Sequence, residues 1–213
     1  TPNFHLAFYW ILLGLFLDFF DGFAARLLKV SGELGKQLDS LADMVTFGVA
    51  PSFVMFHFLL ELFSFFDNSY HWLAYSAFLI AILSAYRLAK FNISTNQTDE
   101  FIGLPTPANA LFFGSIPLNF TLLITLNNWF VYPYIYIALI TLFSIFLNSP
   151  IRLIALKFKS FGWKGNEYRF ILLGCILLTI LGALLINSIF IAIPIIILLY
   201  IVISIIKNSL TKI

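Results

Sequence analysis

Long apolar runs alternate with short polar breaks along the whole chain. The runs fall near 4–26, 37–63, 71–91, 105–126, 131–149, 168–187 and 189–206. A stretch of about 20 apolar residues is what a helix needs to cross a bilayer. The pattern therefore predicts about seven transmembrane helices. Barrel strands would alternate polar and apolar residues over about ten positions, and a run such as "IFIAIPIIILLYIVISII" does not alternate. No break is long enough for a second domain, and no internal repeat is visible. Residues 1–213 thus read as one all-α, polytopic transmembrane bundle, a helix hairpin over about 4–63 followed by the remaining helices over about 71–206.

Composition agrees, with 61% hydrophobic and only 10% charged residues, where a soluble domain is about half apolar and a quarter charged. The placement of charge adds the topology. Threaded back and forth, the chain puts all 12 basic residues in or beside the breaks near 27–36, 88–104 and 150–169 and after 206, all on one side. The breaks near 64–70, 127–130 and 187–189 carry none. The positive-inside rule makes the basic side cytoplasmic. Thr1 then starts outside, and one further span upstream is expected to bring the N-terminus inside. The net charge of +2 gives no reason to expect a nucleic-acid partner. The base- and aromatic-rich break "RLIALKFKSFGWKGNEYR" reads as a cytoplasmic segment lying on anionic lipid. Cys175 reads as apolar filler, and His5, His57 and His71 do not converge on any cluster. The sequons at Asn92, Asn96 and Asn119 fall in an inner loop or a span, so glycosylation is not expected.

One stretch resists the oily pattern. "DFFDGFAARLLKVSGELGKQLDSLAD" carries Asp18, Asp21, Asp39 and Asp43 at the cytoplasmic end of the first run and the start of the second. Asp18 and Asp21 are i, i+3 and Asp39 and Asp43 are i, i+4, so each pair shares a helix face. Gly22 and Ala25 join the first face, and Gly35 joins the second. A break of about ten residues lets the two helices lie antiparallel, with all four acids at one depth. Ionised groups in a span cost about 2.5–3.5 kcal/mol each on insertion scales, and four anions repel one another. Arg26 and Lys36 supply some counter-charge; a divalent cation answers the cluster more fully. An all-oxygen donor set selects Mg²⁺ or Mn²⁺, with Ca²⁺ also admissible, over zinc. Mg²⁺ so held keeps positions open for phosphate oxygens. The small residues Gly22, Ala25, Gly32 and Gly35 serve either close approach of a diphosphate or tight helix packing. Pro51 removes a hydrogen bond to the Phe47 carbonyl and is expected to kink the second span. A cation channel is the reading from another class, but it expects acids near the bilayer midplane.

The pattern D-x2-D-G-x2-A-R-x8-G-x3-D-x3-D, here Asp18, Asp21, Gly22, Ala25, Arg26, Gly35, Asp39 and Asp43, resembles without departure the signature of the CDP-alcohol phosphotransferases. The flanks "ADMVTFGVAPS", "AYRLAKFN" and "GLPTPANA" look most like the branch of bacterial and archaeal members that joins CDP-diacylglycerol to L-serine. The resemblance implies a metal-dependent transferase of phospholipid biosynthesis, a homodimer in a cell membrane, that releases CMP on the cytoplasmic side. It implies that Asp18, Asp21, Asp39 and Asp43 hold the metal, and that Asp43 takes the proton of the acceptor hydroxyl. Asp18, Gly22, Ala25, Arg26 and Gly35 would surround the cytidine diphosphate, with Lys36 near phosphate. A serine acceptor brings a carboxylate, for which Arg87 is the first candidate partner and Lys90 the second. Glycerol 3-phosphate or an inositol phosphate is the alternative acceptor, and either would ask for several basic residues.

Overall fold

The computed structural model describes residues 2–28, 32–65, 68–93, 101–155, 162–163 and 165–210. Lys29, Asp67, Asn96, Lys157, Lys159, Lys164 and Lys212 lie outside the described residues, as does the side chain of Arg26. In chain order the elements are α1 (Phe4–Leu27), α2 (Glu33–Asp43), a π-helical turn (Met44–Val49), α3 (Ala50–Ser64), a tight 3₁₀ segment (Asn68–Phe78), α4 (Leu79–Ile93), β1 (Phe101–Ile102), α5 (Thr106–Ser115), α6 (Phe120–Leu126), α7 (Pro133–Leu147), β2 (Arg152–Leu153), α8 (Glu167–Leu185) and α9 (Ala192–Leu210).

Among the described residues, six helical segments are long and apolar enough to cross a membrane: Phe4–Ala25, Glu33–Ser64, Tyr70–Ile93, Thr106–Leu126, Glu167–Leu185 and Ile189–Leu210. They coincide with six of the expected runs, and the chain is an all-α polytopic membrane protein. The expected span over 131–149 differs. Its helix α7 has 15 residues, or about 22 Å at 1.5 Å per residue, short of the ~30 Å hydrocarbon layer. Pro133 sets the late start. The residue before a proline avoids the helical region, and Tyr132 is extended, with φ −77° and ψ 121°.

Two of the spans are broken where proline interrupts the hydrogen-bond ladder. Pro51 has no N–H to donate. The chain meets it with the wider turn Met44–Val49, in which the Ala50 N–H reaches back five residues to the Val45 carbonyl. The Ser52 hydroxyl donates to the Gly48 carbonyl at 2.7 Å. Pro117 starts a 3₁₀ turn between α5 and α6. There the buried Asn119 amide donates to Ser115 O at 2.8 Å and Phe190 O at 3.1 Å. In hydrocarbon such carbonyls have no water to turn to, so a side chain must satisfy them.

The core centres on α3. Met55, Phe58, Leu59, Leu62 and Phe63 pack against Ile80, Phe112, Phe113, Tyr136, Ile140 and Phe143, with Phe112 and Phe143 stacked at 4.1 Å between ring centroids. Helix α1 leans on this body through Phe8 and Ile11 but otherwise presents Trp10, Phe16, Phe19 and Phe23 outward. Between membrane helices, small residues allow the close approach that packing requires. At Gly14 an added Cβ would run into the Thr46 methyl, so α1 sits directly against the π-helical turn.

The basic breaks gather at one end. Strands β1 and β2 pair antiparallel, Phe101 with Leu153 and Ile102 with Arg152. Tyr200 OH donates to Ile154 O at 3.0 Å, and Ile154 N donates to the Ser204 hydroxyl at 3.2 Å, which brings the end of α9 to the same place. Gly103 closes the pairing by donating to Ile151 O at 2.8 Å. Its φ is +73°, and a Cβ there would strike the Leu147 carbonyl. Gly103→Ala is therefore expected to cost about 2–4 kcal/mol, from the left-handed backbone and from overpacking. The midpoint of thermal unfolding in detergent measures it; an unchanged midpoint would show that this loop adds nothing to the fold.

Candidate active site

Helices α1 and α2 bring the acids together as their spacing predicts. One carboxylate oxygen from each of Asp18, Asp21 and Asp39 lies within 4.8 Å of the other two. Asp43, one turn beyond Asp39, makes a side-chain hydrogen-bonding contact with Asp18 and lies in the field of Asp39. Asp18 and Asp43 are half-buried, and Asp21 and Asp39 are exposed. The cluster thus opens outward from the bundle with two acids at its back. Three carboxylates at this separation form an all-oxygen donor set for a hard divalent cation, and the arrangement fits one.

The floor between the two pairs is clear. Among the described residues, a Cβ built on Gly22 or on Gly35 would meet nothing within 4 Å. Neither glycine packs against a described residue of this chain, in contrast to Gly14 on the same helix as Gly22. Ala25 is likewise exposed. A ligand can reach the backbone of both helices.

Helix α2 owes its place to few contacts. None of its residues is buried, and the extended Gly32 at its start gives it no side-chain cap. Its anchor is the last turn of α4. The Asn92 amide nitrogen donates to the Ser40 hydroxyl at 2.9 Å and to Gln37 Oε1 at 3.2 Å. Asn92 Oδ1 lies 3.2 Å from the same hydroxyl. The Lys36 ammonium donates to the Asn92 backbone carbonyl at 2.8 Å. Lys36, expected near phosphate, is thus held at the edge of the cluster by α4. Sequence reasoning missed Asn92, Ser40 and Gln37. The available signal was the polar face 36, 37, 40 of α2, beside the acid face 35, 39, 43 and with no use of its own.

Arg87 is also on α4. It is half-buried, and its charge acts on Asp43 and on the Tyr200 phenol. Its Nε atom is buried without a hydrogen-bond partner among the described residues. A buried guanidinium nitrogen left unpaired is costly, which makes Arg87 a candidate for an acceptor atom that the described residues do not supply. Lys90 is exposed one turn further on. The histidines stay apart from the acids. His5 packs on Phe190, His57 touches Phe56, and His71 faces Phe63.

Comparisons with known proteins bear on the family. The family model for CDP-alcohol phosphatidyltransferase matches residues 1–147. A Bacillus subtilis protein named CDP-diacylglycerol–serine O-phosphatidyltransferase is 43% identical over 105 residues, covering 49% of this chain and 56% of the relative. Proteins of the same name from Helicobacter pylori and Saccharomyces cerevisiae are 41% and 39% identical, each over 51% of this chain and over 44% and 40% of their own lengths. The chain spans about half the length of the curated relatives it matches. No solved structure matches it. The matched region contains the whole acidic hairpin, Arg87 and Asn92, and on that ground the chain belongs to the CDP-alcohol phosphatidyltransferase family.

Proposed function

We propose that the protein transfers the phosphatidyl group of CDP-diacylglycerol to the hydroxyl of L-serine and releases CMP. The reading is supported above all by the juxtaposition of the three-carboxylate cluster with a half-buried arginine whose Nε lacks a partner. The relatives named for this reaction support serine in particular. The working unit is a homodimer in a bacterial or archaeal cell membrane, as the family resemblance implies. The site faces the cytoplasm, the side the basic breaks assign by the positive-inside rule.

In this reading the lipid-anchored diphosphate lies across the hairpin. Gly22, Ala25 and Gly35 let it approach the backbone, and Arg26 and Lys36 are its cationic neighbours. Asp18, Asp21, Asp39 and the adjacent Asp43 would hold Mg²⁺ or Mn²⁺. When bound, that ion neutralises charge on the diphosphate and on the departing CMP. Arg87 grips the serine carboxylate and turns the hydroxyl toward Asp43, with Lys90 a second cation at the mouth. Asp43 accepts the hydroxyl proton. The serine oxygen bonds to the phosphatidyl phosphorus as the bond from that phosphorus to the CMP oxygen breaks.

Purified protein offered CDP-diacylglycerol with serine, glycerol 3-phosphate or an inositol phosphate in turn should release CMP with serine alone. Release driven by either phosphorylated alcohol overturns the acceptor assignment. Because lysine cannot reproduce a guanidinium fork on a carboxylate, Arg87→Lys should raise the KM for serine by at least about tenfold; an unchanged KM removes Arg87 from the acceptor site.

Asp43→Asn should lower kcat by about 10²–10⁴, the range for loss of a general base, in protein that still binds donor. Near-normal CMP release from that variant would rule Asp43 out as the base.

Gly22→Ala separates clearance from packing. With no atom to collide with, the variant should unfold no earlier than the parent, since alanine favours a helix by about 1 kcal/mol over glycine. Its KM for CDP-diacylglycerol should nonetheless rise several-fold. A lower unfolding midpoint with an unchanged KM would reverse the assignment.

A further inference from the structure

We infer that Asn92 is a positioning residue for the divalent-ion site, a clamp on α4 that sets where α2 holds Asp39. The inference rests on the metal reading of the acidic cluster. Four observations lead to it. Helix α2 has no buried residue and no side-chain cap, so beyond its continuation into the turn Met44–Val49 neither a core of its own nor a capping bond fixes it. Three of its residues, Lys36, Gln37 and Ser40, all bond to the single residue Asn92. Ser40 is the immediate neighbour of Asp39, and Lys36 precedes Asp39 by one turn. Asp39 in turn supplies an oxygen of the triad, and the other two come from α1, across the hairpin.

The angular arithmetic makes the coupling direct. At 3.6 residues per turn, positions 36, 37 and 40 lie on a face rotated about a quarter turn from 35, 39 and 43. One face of α2 is tied to α4 while the adjacent one meets α1. A small roll of this uncored helix moves the Asp39 carboxylate sideways relative to Asp18 and Asp21. Ligand oxygens placed to serve one small cation do not tolerate such displacement. Asn92 suits the task because its amide both donates and accepts, so it can bond Gln37 and Ser40 together, while its backbone carbonyl takes Lys36.

The test is Mn²⁺ binding to the purified, detergent-solubilised protein, followed by electron paramagnetic resonance of the free ion, alongside the unfolding midpoint. The parent should bind Mn²⁺, and Asp39→Ala should abolish that binding. Asn92→Ala should weaken it by about tenfold, the effect of losing one or two neutral hydrogen bonds. At saturating Mn²⁺ its KM for serine should stay within about twofold of the parent, because the clamp acts on the ion site. Ser40→Ala should weaken binding in the same direction and should add nothing on top of Asn92→Ala, since both remove the same bond. If Asn92→Ala does not fold, Ser40→Ala carries the test. Parent-like Mn²⁺ affinity in either folded variant overturns the clamp, as do fully additive losses in the pair. Absence of Asp39-dependent Mn²⁺ binding in the parent overturns the metal reading, and the clamp with it.

Discussion

Carboxylates repel, and this fold holds three of them with oxygens inside 4.8 Å. Two unit charges at that distance oppose each other by about 1 kcal/mol in water and about 3 kcal/mol at the effective dielectric of a protein surface. Three such pairs amount to several kcal/mol, a sizeable share of the ~5–15 kcal/mol by which a domain is stable. Random acid placement would not survive that cost, nor would a floppy hairpin keep the acids convergent. The bundle meets the demand with a rigid body behind the site: α1 set against the turn Met44–Val49 at Gly14, α3 at the centre of the core, and α4 across the flank of α2.

The π-helical turn belongs to this solution. It follows Asp43 directly and precedes Pro51, so the chain absorbs an extra residue between the acids and the core. Such single wide turns recur at functional sites, where they re-aim the residues on either side. Here the turn separates two duties of one long span. The part after it, α3, is buried and fixed by aromatic packing. The part before it, α2, has no buried residue and carries the acids to the interface.

Much of this was legible in the sequence, because the signals were local. Apolar run length gave the spans, and i, i+3 and i, i+4 spacing gave the acid faces. Gathering the bases on one side anticipated the clustering of the breaks that β1, β2, Tyr200 and Asn92 hold together. What escaped depended on distant partners or on backbone detail. Asn92 bonds to residues 52 to 56 positions away, and although the flank "AYRLAKFN" ends on it, that flank does not say what it would bond. The shortness of α7 follows from Tyr132 being held extended before Pro133, which hydropathy does not register. Pro51 was readable as a disturbance, but the chain widens into a π-helical turn, with Ala50 N–H reaching back to the Val45 carbonyl, a backbone choice that the residue types do not announce.

Helix α1 shows how one element divides between holding and working. Gly14 and Gly22 lie eight residues apart, a little over two turns, so they stand about 40° to either side of Asp18 around the helix. At Gly14 the missing side chain is filled by Thr46 of the neighbouring turn; at Gly22 no described residue fills it. The two helices therefore touch toward the membrane interior and part toward the acids. A gap that widens in this way leaves room beside the acids, while the contact at Gly14 holds α1 against the turn Met44–Val49. The same residue type thus meets different surroundings at two heights: a threonine methyl stands across from Gly14, and no described atom stands across from Gly22. That geometry explains how a site with so little buried surface of its own can still have a fixed shape.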